Sequence, residues 1–131
     1  TISKLMKICE VVNASNEKIT SKFTPEDLNH FYEVAKNTEN FCGFVVSISA
    51  KTALQFMKNL NGRGERNDTW TRTEKREGQL EIRVKRLRPN ICYTSEHDDL
   101  KNRFIIYNYD CEAKYPGLRD RLYGDEEFSC Y

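Results

Sequence analysis

The chain has no apolar run approaching the roughly 20 residues that a membrane-spanning helix requires, so it is expected to be soluble with no membrane partner. Its five cysteines, Cys9, Cys42, Cys92, Cys111 and Cys130, include no C-x-x-C pair, the spacing that zinc and redox sites use. The only glycine-rich stretch, Asn61-Gly62-Arg63-Gly64, follows a helical pattern instead of preceding one, which leaves no helix N-terminus to cradle a phosphate. Histidine is scarce. His30 falls near the apolar stripe of a helix, where a hydrogen-bonded structural role is expected, and His97 sits in SEHDD, which lacks the ligand spacing of a calcium loop. No catalytic constellation emerges, and no cofactor or metal is expected. No repeat, low-complexity tract or linker interrupts the 131 residues, a length that suits one domain, 1–131.

What is present is a large apolar and aromatic complement: seven Phe, seven Tyr and one Trp, with 38% hydrophobic and 31% charged residues. Such a chain can bury enough surface to fold. The net charge is only +1, yet it is unevenly spread: residues 63–88 carry nine Lys or Arg against five acids, whereas 96–127 carry five against nine. A basic middle can face an anionic partner, or it can face the acidic end within the fold. Cys9 near the start and penultimate Cys130 are placed to bridge the two ends in an oxidising compartment. The sequence begins at Thr1, which fits a processed secreted protein or a trimmed intracellular one equally well.

Helical patterns come early and strand patterns late. Ile2, Leu5, Met6, Cys9 and Val12 recur at helical spacing and predict a first helix over 2–12. Thr24 as N-cap, Pro25 in the first turn and Leu28, Phe31, Tyr32 and Ala35 on one face predict a second over 25–37. FCGFVVSIS (41–49) reads as a buried strand, after which Ser49 caps a third helix with Ala53, Leu54, Met57 and Leu60 as its apolar stripe and Gly62 as its stop. The period then changes to two: Trp70 to Arg76 and Leu80 to Arg88 flank the turn signal Glu77-Gly78, and RFIIYNYD (103–110) supplies a central strand, with a short one possible at NICYTS (90–95). Tyr115, Leu118, Leu122, Tyr123 and Phe128 are expected to wrap the tail over the sheet, with Pro116-Gly117 as the turn. The fold class is therefore α+β, with three helices packed on one side of a four- to five-stranded antiparallel sheet.

The hairpin TWTRTEKREGQLEIRVKRL carries the strongest functional signal. Leu80, Ile82 and Val84 alternate with Glu81, Arg83 and Lys85, and Trp70, Arg72 and Glu74 share a face of the first strand. Adding Arg86 and Arg88 gathers cations along one side and edge of the sheet, as a phosphate-bearing ligand requires; alternate residues in a strand stand about 7 Å apart. Interleaved Glu74 and Glu81 fit instead an ordinary solvated face.

Two resemblances bear on this. GFVVSISAKTALQFMKNLNGR (43–63) followed by LEIRVKRLRP (80–89) resembles the third strand, second helix and fourth strand of an RNA-recognition motif domain. That resemblance implies an aromatic at Phe44 exposed for base stacking, although Cys42 and Ser47 stand at the other aromatic positions and only four residues separate the helix at 25–37 from the strand at 42–48. The alternating charges of TRTEKREGQLEIRVKRL, with RFIIYNYDCE beyond, look like the cationic strands of tunnel-shaped triphosphate hydrolases. Such enzymes need paired glutamates on their first and last strands to hold a metal ion, and FCGFVVSIS has no acid, so the resemblance implies at most an inactive relative.

The sequence thus points to a non-enzymatic binding module for an anionic partner, foremost single-stranded nucleic acid, through Trp70, Arg72, Arg83, Lys85, Arg86, Arg88 and Phe44. The alternative is a secreted, disulfide-tied module, effector- or cytokine-like, whose partner is another protein.

Overall fold

A computed structural model describes residues 2–14, 23–59, 64–66, 70–87 and 102–123. Among these residues, four α-helices run through Ile2–Ile8 (α1), Pro25–Lys36 (α2), Ala50–Asn59 (α3) and Leu118–Tyr123 (α4). Six strands run through Val11–Ala14 (β1), Gly43–Ile48 (β2), Gly64–Arg66 (β3), Trp70–Glu77 (β4), Leu80–Leu87 (β5) and Asn102–Asn108 (β6). They form one mixed sheet in the order β1-β2-β6-β5-β4-β3, in which β1 runs parallel to β2 and every other pair is antiparallel.

Local chemistry accounts for most of these elements. At the start of α2 the Asp27 amide donates to Thr24 Oγ1 (3.2 Å) and the Thr24 amide donates to Asp27 Oδ2 (2.8 Å), a reciprocal cap ahead of Pro25. Ser49 caps α3 by accepting from the Thr52 amide at 3.1 Å, and the Thr52 hydroxyl donates to the Phe23 carbonyl at 2.7 Å, joining α3 to the chain just before α2. Between β4 and β5, Gly78 takes φ 61°, and the pairing of Glu77 with Leu80 leaves only Gly78 and Gln79 in the loop.

The first helix is shorter than its apolar spacing predicts. It ends at Ile8, and Val11 and Val12 enter β1 instead, pairing with Gly43 and Phe44. Adjacent β-branched residues fit a pleated, half-buried surface better than a helix. The apolar stripe of α3 is also rotated from expectation: Ala53 and Phe56 are buried, while Leu54 is 42% exposed. Among the described residues the sheet is six-stranded and mixed, not a purely antiparallel one of four or five strands. The stretches 90–95 and 124–131, with Phe128, lie outside the described residues.

The two faces of the sheet are covered differently. Helices α1, α2 and α3 pack on the face bearing Val12, Phe44, Val46, Ile48, Leu80, Ile82, Val84, Phe104 and Ile106. Phe31, Phe44, Phe104 and Phe56 form a continuous ring contact through that core, with successive centroids at 5.1, 6.3 and 5.2 Å. On the opposite face, α4 packs Leu118 and Leu122 against Val45, Ile105 and Tyr107. The helices therefore lie on both sides, because strand β6 is apolar on both: Phe104 and Ile106 face one way, Ile105 and Tyr107 the other, and all four are buried. Gly43 permits the approach of α4, since a Cβ there would stand 2.5 Å from Leu122 Cδ1.

Candidate anion-binding face

Directly paired residues in a sheet share a face, so the strand registers order the charged residues into cross-strand rungs. On the α4 side, Arg76 pairs with Glu81, which pairs with Tyr107. The next rung places Glu74 opposite Arg83 and Arg83 opposite Ile105. One rung further, Arg72 is opposite Lys85, and Lys85 is opposite Arg103, which pairs in turn with Ser47. Glu65 pairs with Arg72 from β3, and Trp70 pairs with Leu87 on the rung beyond.

The three rungs differ in their electrostatics. Arg76–Glu81 and Glu74–Arg83 match opposite charges, as a sheet face does for its own stability. Glu81 is only 5% exposed and is neutralised further: Arg119 Nη2 lies 3.5 Å from one of its oxygens, and the Tyr109 hydroxyl donates to the other at 3.1 Å. Arg83 is 8% exposed and stands in register opposite Glu74. The third rung places Arg72, Lys85 and Arg103 at successive register positions on adjacent strands about 4.8 Å apart.

Of the residues singled out from sequence, Trp70, Arg72, Arg83 and Lys85 fall on this one face. Arg86 does not. It pairs with Thr71 and, by strand alternation, belongs to the opposite face. Arg88 lies outside the described residues. Phe44 is buried to 0% exposure between Phe31 and Phe104, so the base-stacking role implied by the RNA-recognition motif resemblance is corrected: α2 occupies the face that such a domain leaves open. Arg103 is the residue that sequence reading missed. A lone arginine within NRFIIYN gave the signal, but only the β5–β6 register brings it beside Lys85.

A second polar cluster fastens α4 and the turn before it. A disulfide joins Cys42, at the start of β2, to Cys111, with Cα atoms 5.5 Å apart. The Tyr107 hydroxyl donates to Glu112, whose other oxygen accepts from the Gly117 amide at 2.7 Å. Burial, reinforced by that carboxylate, pushes the Tyr107 hydroxyl well above its usual pKa, while the same hydrogen bond and the Gly117 amide hold Glu112 below the usual carboxylate value. Lys114 donates to Glu10 at 2.6 Å and the Tyr115 hydroxyl donates to its other oxygen, so Glu10 is also held low and both partners are raised.

The expected bridge from Cys9 to Cys130 is replaced by Cys42–Cys111: Cys9 is exposed and outside any disulfide, and Cys130 lies outside the described residues. His30 is exposed, not structural, and borders an open groove with Lys7, Glu33, Thr38 and Glu39. His97 lies outside the described residues. Among the described residues no cluster of three His, Cys, Asp or Glu side chains could hold a metal ion, and no helix is long and apolar enough to cross a membrane. Neither β2 nor β6 carries a carboxylate, whereas the resemblance to tunnel-type hydrolases implies paired ones on the first and last strands. Comparison with protein families, curated proteins and solved structures gives no match to this chain.

Proposed function

We propose that the protein is a non-enzymatic binding module whose β4–β5–β6 face takes an anionic partner, with single-stranded nucleic acid the leading ligand. What supports this reading is the register, which places Arg72, Lys85 and Arg103 at successive positions of adjacent strands on one face. Three cations on adjacent strands span about 10 Å, enough to straddle two successive phosphates. Trp70 stands on the same face two residues from Arg72 along β4, about 7 Å away. Stacking of a base on an aromatic ring adds roughly 1–3 kcal/mol without regard to base identity.

The test is titration of the protein with a fluorescent single-stranded RNA at several salt concentrations. Binding should weaken as salt rises, with log K falling against log salt by about 0.7 for each phosphate contacted, or about 2 for three contacts. Trp70 is the only tryptophan, so its emission should change on binding. No binding at low salt removes the reading.

A second reading, a secreted interaction module with a protein partner, is favoured by the Cys42–Cys111 disulfide, since such bonds persist in oxidising compartments. Counting thiols in denatured, unreduced protein from its native source separates the two. Five free thiols, with Cys42 and Cys111 reduced, support the intracellular nucleic-acid binder, whereas three or one, with that bond closed, support the secreted module.

A further inference from the structure

We infer that the Cys42–Cys111 pair is a redox switch: a small thiol opens the bond without unfolding the chain, and α4 then loosens from β2 and β6 and uncovers the apolar surface beneath it. The switch does not depend on any nucleic-acid ligand. The bond joins residues 69 apart in sequence, and both its ends lie where α4 meets the sheet. Cys42 precedes Gly43, the point at which a Cβ would stand 2.5 Å from Leu122 Cδ1. Cys111 heads the turn into α4, its carbonyl accepting from the Lys114 and Tyr115 amides at 3.1 and 2.9 Å. Both cysteines belong to the apolar cluster beneath α4, with Val45, Ile105, Tyr107, Leu118 and Leu122.

The site can hold a dithiol as well as a disulfide. The Asn40 carbonyl lies 3.6 Å from Cys42 Sγ, and the Phe41 carbonyl lies 3.6 Å from Cys111 Sγ. In the disulfide neither sulfur carries a proton. After reduction each S–H has an acceptor already in place, so no buried donor is stranded. Reduction balances as two exchange steps. A thiolate attacks Sγ of Cys111, the less buried residue of the pair; the Cys42–Cys111 bond breaks, and Cys42 leaves as a thiolate and takes up a proton. A second thiolate attacks the reductant's sulfur in that mixed disulfide, so that the two reductant molecules end as their own disulfide and Cys111 is also protonated. What is lost is the covalent tie between the turn and β2. Helix α4 has six residues, too few to persist without its packing. With the bond open it is held only by Leu118 and Leu122 and by the polar contacts of Glu10, Glu81 and Glu112.

The experiment equilibrates the full chain in glutathione buffers running from mostly oxidised to wholly reduced. Alkylation and peptide mass spectrometry follow Cys42 and Cys111, and amide hydrogen exchange is measured at both ends of the series. The two cysteines should become alkylated together within the series and close again on reoxidation. In the reduced protein the α4 amides should exchange at nearly the rate of an unstructured chain, while those of α2 stay protected by at least about a hundredfold. The double variant Cys42→Ser, Cys111→Ser keeps a donor for each carbonyl and should behave like the reduced protein in every buffer. Three results overturn the switch: a pair that stays closed in wholly reduced glutathione, loss of protection in α2 together with α4, or an α4 as protected in the reduced protein as in the oxidised one.

Discussion

Phe44 sits where α2 meets the sheet, with the rings of Phe31 and Phe104 at 5.1 and 6.3 Å and no surface open to solvent. Truncating a side chain so enclosed removes its transfer energy and leaves a cavity. Phe44→Ala should cost about 3–5 kcal/mol in urea unfolding and should leave RNA affinity unchanged under conditions where the variant is still folded. A loss of affinity in the folded variant would return the residue to the binding surface. The sequence placed Phe44 in a buried strand by its neighbours and on an exposed one by resemblance, and only the packing of α2 decides between them. Arg103 was illegible for the opposite reason. Its neighbours Phe104, Ile105 and Ile106 made the strand obvious, whereas its partner Lys85 is 18 residues away in sequence and depends on register.

At the scale of elements, the segment 109–123 is held to the sheet by the Cys42–Cys111 bond, by Glu10 with Lys114 and Tyr115, and by Glu112 with Tyr107. Glu10 and Glu112 have depressed folded-state pKa values, so their contribution is complete above the ordinary carboxylate range and is lost as pH falls through the depressed values. Lys114 and Tyr115 are raised, so theirs is complete at neutral pH and is lost only as pH rises through the alkaline range. Amide hydrogen exchange, corrected for the intrinsic effect of pH, should show α4 losing protection before α2 does as pH falls below the ordinary carboxylate range. Equal loss in both helices would mean that these carboxylates do not hold the segment. Helix α2 was readable because its cap, its proline and its apolar face agree. The end of α1, the parallel strand β1 and the opposite-face position of α4 were not. Val11 and Val12 satisfy either period over so short a stretch, and an apolar strand does not declare which layer covers each side.

For the whole molecule, a net charge of +1 conceals a sheet on which the registers set Arg76 opposite Glu81, Glu74 opposite Arg83, and Arg72, Lys85 and Arg103 in one row. Composition alone showed the basic middle and the acidic end, and the two strands of the hairpin were legible, but their register, with Gly78 and Gln79 and not Glu77-Gly78 as the loop, and the row Arg72–Lys85–Arg103 need three strands to be aligned. The most direct measurement is amide chemical-shift mapping of the isotopically labelled protein on addition of a short single-stranded RNA. The account predicts the largest shifts at residues 70–72, 85 and 103, with those of α1 and the groove at Lys7 and His30 unmoved. Shifts centred on that groove, or no shifts at low salt, would contradict it.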